Sequence, residues 1–307
     1  MPFHAKKIFS AITLSALAAS AQATPIYSLA SNGVELIRFD SASPGIVTTV
    51  GAISGAISRL DGLDFRPADG LLYGYEANGN GIFRVNINTG ATTFVSTSSA
   101  TVGNARLGID FNPVVDRLRV VNPADDNRRV TVATGAAGAD GALAYVIGDI
   151  NFGSNPQVAD AAYTNSDNNA ATGTQLFYID PGVDALLTTS APNAGTLNTV
   201  GALGVNANGF LGFDIFTSPG GTNTAFASLR VGGVDGLYTI NLGTGAATLV
   251  GAIGADQLFG LAVAPAAVEG APAAVEGLPE PGSIALLAAA GLAAITVRRR
   301  RKVSAAW

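Results

Sequence analysis

The sequence predicts an all-β fold, a β-propeller of five blades with four antiparallel strands each. Three observations carry this expectation. A four-part phrase recurs along the chain, its period is that of one blade, and the two ends of the repeat region hold complementary parts of a fifth phrase. One copy reads LDGLDFRPADGLLYGYEANGNGIFRVNINTGATTFVS from Leu60, and the next RLGIDFNPVVDRLRVVNPADDNRRVTVATG from Arg106. A third begins QVADAAYTN at Gln157 and resumes as TQLFYIDPGVDALLTTS; a fourth, LGFDIFTSPGGTNTAFASLRVGGVDGLYTINLGTGAATLVG, starts at Leu211. Short runs of β-branched and aromatic residues broken by Gly, Asn, Asp and Pro read as strands and turns.

The opening strands centre on Asp64, Asp110, Asp160 and Asp214, at spacings of 46, 50 and 54 residues, close to the ~40 to 50 residues of a propeller blade. The copy at Asp160 is the weakest, with VADAAYTN in place of GIDFNP and the loop NSDNNAATG before its second strand. The segment from Ile26, IYSLASNGVELIRFDSASPGIVTTVG, has three strands of a unit and no opening. That opening appears as LFGLAVAP at Leu258–Pro265, with Ala262 in the aspartate's place. A C-terminal strand beside the N-terminal ones closes the ring and removes an open edge between first and last blades. A two-sheet sandwich or a solenoid also uses short strands, but neither accounts for the split fifth unit.

Composition then narrows the chemistry. Charged residues make up 13 per cent, about half of the ~25 per cent usual in soluble domains. Lysine occurs only at Lys6, Lys7 and Lys302. Between Thr24 and Pro281 lie ten arginines and all 22 acids, a formal charge of −12, which argues against nucleic acid or an anionic membrane as partner of that region. There is no cysteine, and the one histidine is His4. Thiol catalysis, thiolate or imidazole zinc sites and Ser-His-Asp triads are therefore excluded from residues 24–281. Carboxylates remain, as a glycosidase pair about 5 to 9.5 Å apart or as oxygen ligands for Ca²⁺. No other cofactor is expected.

Asp64, Asp110, Asp160 and Asp214 are the candidate channel or Ca²⁺ ligands. Strand alternation turns Asp64 away from Leu63 and Phe65, where it either lines the channel or accepts hydrogen bonds from the adjacent blade. A residue that follows the repeat favours the structural bond. Asn165, Asp167, Asn168 and Asn169 form a second oxygen-rich group, read as a Ca²⁺ cradle or a solvated turn. Arg117, Arg119, Arg128 and Arg129, beside Asp116, Asp125 and Asp126, read as cross-strand ion pairs or an anionic-sugar contact. The single tryptophan is Trp307, so the repeats lack the usual stacking platform for sugars.

The termini read as addresses. Residues 1–23 resemble a secretory signal: Lys6 and Lys7, an apolar run Ile8–Ala21, and an A-x-A cleavage site at Ala21-Gln22-Ala23. The ectodomain is 24–265, followed by a spacer, 266–278, within a tandem APAAVEG repeat. Residues 279–302 hold Pro279-Glu280-Pro281, the apolar run Ile284–Val297 and the cations Arg298, Arg299, Arg300, Arg301 and Lys302, and 303–307 form a short cytoplasmic tail. As a transmembrane helix the apolar run spans about 21 Å of a ~30 Å hydrocarbon core, too short for a firm anchor.

Two family resemblances attach to these residues. GLDFRP, GIDFNPVVDRLRVVN, AYTNSDNNAATGTQLFYID, GTLNTVGALGV and GLYTINLGTGAATLVG, in this order, resemble domain of unknown function 4394, which implies one domain and no mechanism. The tail LPEPGSIALLAAAGLAAITVRRRRK looks like the PEP-CTERM sorting signal of Gram-negative bacteria, with Leu278 where Val is commoner. That resemblance implies recognition by an exosortase and delivery to the cell surface or exopolysaccharide matrix, with transient inner-membrane attachment through the C-terminal helix. The sortase signal LPxTG is a poorer match, because Pro281 stands where the threonine is needed. The expected function is a secreted, non-enzymatic binding or structural propeller, with exopolysaccharide or a surface protein as partner. The alternative is a carboxylate- or Ca²⁺-dependent hydrolase of extracellular polysaccharide.

Overall fold

β-forming runs of up to eleven residues pair into five separate sheets arranged as a five-bladed propeller. The computed structural model describes residues 23–103 and 107–266, and of Phe210 the backbone alone. Ala21, Pro279, Glu280, Pro281, Arg298, Arg299, Arg300, Arg301 and the expected membrane helix lie outside the described residues, while Ala23 is the first of them. Among the described residues no helix is long and apolar enough to cross a membrane.

Blade I takes Pro25–Ala30, Glu35–Asp40 and Ser43–Ala52 from the start of the chain and its innermost strand, Phe259–Val263, from the end. Ile26 pairs with Val263 and Tyr27 with Ala262, so the ring closes as the split repeat predicts. From the axis outward, blade II consists of Gly62–Phe65, Leu72–Glu76, Gly81–Val85 and Ala91–Thr97. Blade III consists of Gly108–Asn112, Arg117–Val121, Asn127–Val130 and Ala137–Ala139. Blade IV consists of Asp160–Tyr163, Leu176–Asp180, Ala185–Thr189 and Thr196–Ala202, and blade V of Ala207–Thr217, Asn223–Val231, Val234–Ile240 and Ala247–Ala252.

Two blades depart from the four-strand pattern. Ser54–Gly55 runs parallel to the outer strand of blade II, and Ala144–Tyr145 parallel to that of blade IV, giving each a fifth strand. Both are pieces of chain arriving from the preceding blade. Two residues leave no periodicity to read in the sequence.

The core is divided among the seams between blades. Tyr27 and Leu36 of blade I pack with Leu63 and Phe83 of blade II, and Tyr73 and Ile82 of blade II with Phe111 and Leu118 of blade III. Val121 of blade III meets Tyr178 and Leu187 of blade IV, Phe177 and Leu186 of blade IV meet Phe213 and Leu229 of blade V, and Phe226 and Leu237 of blade V return to Ile26 and Phe39. Each blade thus buries apolar side chains on both faces, and removing one would expose two cores. The rims are held by close backbone contact. Gly135, at φ 70° in the outer hairpin of blade III, lies so near blade II that a Cβ there would sit 1.8 Å from the Thr97 carbonyl oxygen. Only glycine meets both conditions.

Candidate functional site

The innermost strands bring all four repeat aspartates to the axis, where Asp64, Asp110, Asp160 and Asp214 are 5, 2, 3 and 5 per cent exposed. Each accepts a hydrogen bond from the next blade. Phe111 N donates to Asp64 Oδ2 at 2.8 Å, Tyr163 N donates to Asp110, Phe213 N donates to Asp160 Oδ2 at 2.8 Å, and Val263 N donates to Asp214 Oδ2 at 2.6 Å. Own-strand amides add further bonds, from Phe65 to Asp64, from Ala161 to Asp160 Oδ1 at 2.8 Å and from Ile215 to Asp214 Oδ1 at 2.5 Å. A chain of carboxylate-to-amide bonds therefore runs from blade II through III, IV and V to blade I.

The register of this chain corrects the spacing read from the sequence. Tyr163 N donates to Asp110 as Phe111 N donates to Asp64, so Ala162 is the counterpart of Asp110 and Asp160 stands two residues earlier on the same side. The repeat positions are Asp64, Asp110, Ala162, Asp214 and Ala262, spaced 46, 52, 52 and 48 residues. Asp160 takes the place held elsewhere by Gly62, Gly108, Gly212 and Gly260. It reaches Phe213, two residues before Ile215, and a Cβ on Gly108 would lie 2.6 Å from its Oδ1. Aligning DAAYTN to GIDFNP on the aromatic residue, instead of on the aspartate, would have found this.

Asp64, Asp110 and Asp214 form the tight group, with carboxylate oxygens within 4.8 Å of one another, and Asp160 lies outside it. Burial raises the Asp64 carboxyl well above the usual carboxylate range, with the Asp214 charge adding to it and the Phe111 and Phe65 amides opposing. Burial likewise raises Asp110, helped by Asp64 and Asp214, and Asp160, against the amides of Ala161 and Phe213. Asp214 is pushed up to about 7 by burial, against the amides of Val263 and Ile215. Like charges this close in a low-dielectric interior favour a shared proton. Three carboxylates can also hold a cation, but Ca²⁺ takes six to eight oxygens, and these already serve the backbone as acceptors.

The other candidates resolve into structural contacts. Asp167 Oδ1 accepts from Asn169 N at 3.0 Å and Asn169 Oδ1 from Ala171 N at 3.1 Å, a self-bonded turn with Asn168 at φ 54°. Asn165 clasps Asn223 of blade V in a reciprocal pair at 3.0 and 2.8 Å. Among the arginines, Arg128 pairs with Asp126 at 2.7 Å, a local pair two residues apart and not the expected cross-strand one. Asp116 is instead bound by Arg66 of blade II, while Arg119 and Arg129 share Asp140, which sequence reasoning missed.

A hollow opens where blades III, IV and V meet, lined by Pro123, Gln157, Ala159, Pro181, Gly182 and Gly209. Among the described residues, none that lines it is charged. Gln157 and Ala159 precede the inner strand of blade IV, and Pro181 and Gly182 turn between its second and third strands, which places the hollow where inner strands begin. The chain enters at Pro25 and leaves past Val263 at the opposite end, where Ala264 N donates to Pro25 O at 2.9 Å.

The family model described as domain of unknown function (DUF4394) matches residues 35–262. No curated protein matches the chain. Among solved structures, a structural-genomics protein of unknown function from Bacteroides thetaiotaomicron is similar at 15 per cent identity and TM-score 0.44, over 58 per cent of this chain. The chain spans 45 per cent of that protein's length. A chain of a nidogen/laminin complex is similar at 11 per cent identity and TM-score 0.44, over 79 per cent of this chain and 98 per cent of the other. Hydrazine synthase of Kuenenia stuttgartiensis is similar at 14 per cent and TM-score 0.38, over 62 per cent of this chain and 47 per cent of the other.

Proposed function

Since the chain belongs to the DUF4394 family, which has no assigned function, we infer that it is an exported propeller of the cell surface or extracellular matrix that binds without chemistry. One observation supports this reading above the rest: the axial carboxylates, the main acid/base groups the composition leaves, are hydrogen-bond acceptors that join blade to blade. A glycosidase needs two carboxyls open to substrate across a sugar ring, and these are buried. The hollow, on the side of the ring opposite Pro25 and Val263, is the surface offered to a partner, and its described lining, uncharged, suits a neutral glycan or peptide. Neutral exopolysaccharide incubated with the exported protein is expected to bind without being cleaved, whether or not Ca²⁺ is added. Release of reducing ends that is lost in Asp64→Asn or Asp110→Asn would reverse the reading in favour of a hydrolase.

Sorting forms the second half of the proposal and rests on the termini. Cleavage after Ala23 would start the mature chain at Thr24, whose N–H donates to Ser41 Oγ at 3.0 Å within blade I. An exosortase acting at Pro279-Glu280-Pro281 would remove the apolar run and Arg298–Arg301. Intact-mass measurement of protein from the surface of a Gram-negative host is expected to give a chain beginning at Thr24 and ending near Pro281. A mass that retains Trp307 would instead mark the tail as a lasting anchor.

A further inference from the structure

The level of the axial repeat position runs outward across each blade as a row of paired residues. In blade I the row is Ala262, Tyr27, Arg38 and Thr48, and in blade II it is Asp64, Tyr73, Arg84 and Thr93. Its third place is Arg129 in blade III, Thr188 in blade IV and Thr239 in blade V. Two blades fold with threonine there, so packing does not require a cation. Arg129 is neutralised by Asp140. Arg38 and Arg84, 46 residues apart, are exposed and make no hydrogen bond or ion pair among the described residues. Acids are not scarce, for they outnumber arginines 22 to ten between Thr24 and Pro281. Asp40 stands two residues from Arg38 on the same side of its strand, a separation at which Arg128 does take Asp126. In blade II, Asp69, bonded to the Tyr73 hydroxyl, and Asp116 of blade III are both taken by Arg66, which leaves Arg84 without an acid.

Arg38 also lines a hollow on blade I, together with Asp40, Ser43, Ile46 and Thr48. Asp40 Oδ1 accepts from Ala42 N at 2.9 Å, and among the described residues its Oδ2 has no donor. Ile46 is 74 per cent exposed. A free cation, an open acceptor, two hydroxyls and an apolar side chain therefore border one space. We propose that this hollow binds an acidic sugar. The Arg38 guanidinium takes the sugar carboxylate through two parallel N–H donors. Asp40 Oδ2 accepts from a ring hydroxyl, Ser43 and Thr48 serve the others, and Ile46 meets the C–H face of the ring. Arg84, paired across strands with Thr93, repeats the cation one blade on and engages a second carboxylate of the same glycan, which adds avidity. The formal charge of −12 opposes duplex DNA, with a negative charge every ~1.7 Å, more than a short glycan with one carboxylate per sugar. This site is separate from the hollow between blades III, IV and V and does not depend on what that one binds.

Isothermal titration calorimetry of the exported protein with an oligomer of galacturonic acid, and with its uncharged methyl ester, is the test. The acid is expected to bind at least about tenfold more tightly than the ester. Arg38→Gln should remove most of that preference, Arg84→Gln part of it, and the double variant all of it. Arg38→Lys keeps the charge without the planar fork and should fall between wild type and Arg38→Gln. Arg59→Gln, which removes an exposed arginine already paired with Asp61, should change nothing. Both free arginines are exposed, so the variants should keep the wild-type thermal midpoint. Any ester bound at the hollow between blades III, IV and V is untouched by Arg38→Gln, which keeps the two sites apart. Equal affinity for acid and ester, or a preference for the acid that survives in the double variant, overturns the proposal. So does a short DNA duplex bound through the same two arginines.

Discussion

Asp140→Ala is expected to lower stability by about 3 to 5 kcal/mol, the cost of leaving a buried charge without its partner. At ~2 to 4 °C per kcal/mol for a domain of this size, the thermal midpoint falls by roughly 10 °C or more. The reason lies in the seam between blades III and IV. Arg119 and Arg129 stand directly opposite each other on paired strands, an unfavourable register for like charges. Asp140 lies between them, with Oδ2 2.5 Å from Arg119 Nη1 and 2.8 Å from Arg129 Nε. Arg119 is 1 per cent exposed, and its remaining donors are held by Asn127 at 2.6 Å, Asn193 at 3.1 Å and Tyr163 at 3.2 Å, the last two from blade IV. Without Asp140 the guanidinium keeps its neutral acceptors and loses its counter-charge. The double variant Arg119→Met/Asp140→Leu should recover most of the loss, since an apolar pair of similar volume is often as stable as a buried ion pair. Differential scanning calorimetry decides the matter. An Asp140→Ala midpoint within a degree or two of wild type would show that the seam does not depend on this charge.

That ion pair marks a boundary of what the sequence shows. The ring, its five units and its closure were legible because each depends on a pattern that recurs, and recurrence survives in a single sequence. Arg119 is legible as a member of an alternating strand, and the sequence offers it partners in the same hairpin at Asp116, Asp125 and Asp126. The acid that binds it follows the outermost strand, 21 residues on, and Asn193 lies 74 residues away. Contacts across a seam between blades leave no local spacing to read. The axial site failed in a subtler way. In the sequence aspartate is the visible marker of the repeat and makes Asp160 look like an equal member, although the aromatic residue after the repeat position sets the register and puts Ala162 there. Packing, not the acid's chemistry, defines this position. The error hid the feature that matters for titration, namely that three acids share one level and the fourth lies one step along the strand.

Raising the pH from 5 to 8 is expected to destabilise the propeller, and Asp214→Asn should reduce that loss. Asp214 titrates near 3.8 when unfolded and near 7 when folded. Between those values the native state binds the extra proton, so its favourable contribution is full below about 4 and falls as pH rises through about 7. Asp64, Asp110 and Asp160 are raised in the same sense, which extends the decline over the same range and beyond it. Most acids in proteins act in the opposite direction, stabilising as they ionise. The side chain of Asp214→Asn has one oxygen, which can accept from the Val263 amide in place of Oδ2, while its NH₂ takes the place of Oδ1, gives up the Ile215 bond and can donate to the neighbouring carboxyls. It therefore retains the latch between blades V and I and removes one buried charge, a gain on the order of a few kcal/mol at pH 8 and little at pH 5. Asp214→Ala removes both charge and acceptor, leaves the Val263 amide unpaired, and should be less stable than Asp214→Asn at both pH values. Thermal midpoints of the three proteins across this range give the answer, and the same scans with Ca²⁺ distinguish a shared proton from a bound cation. A wild-type midpoint that is flat or rises with pH would refute the shared proton. A rise on adding Ca²⁺ at pH 8 that disappears in Asp64→Asn would establish a cation site at the axis.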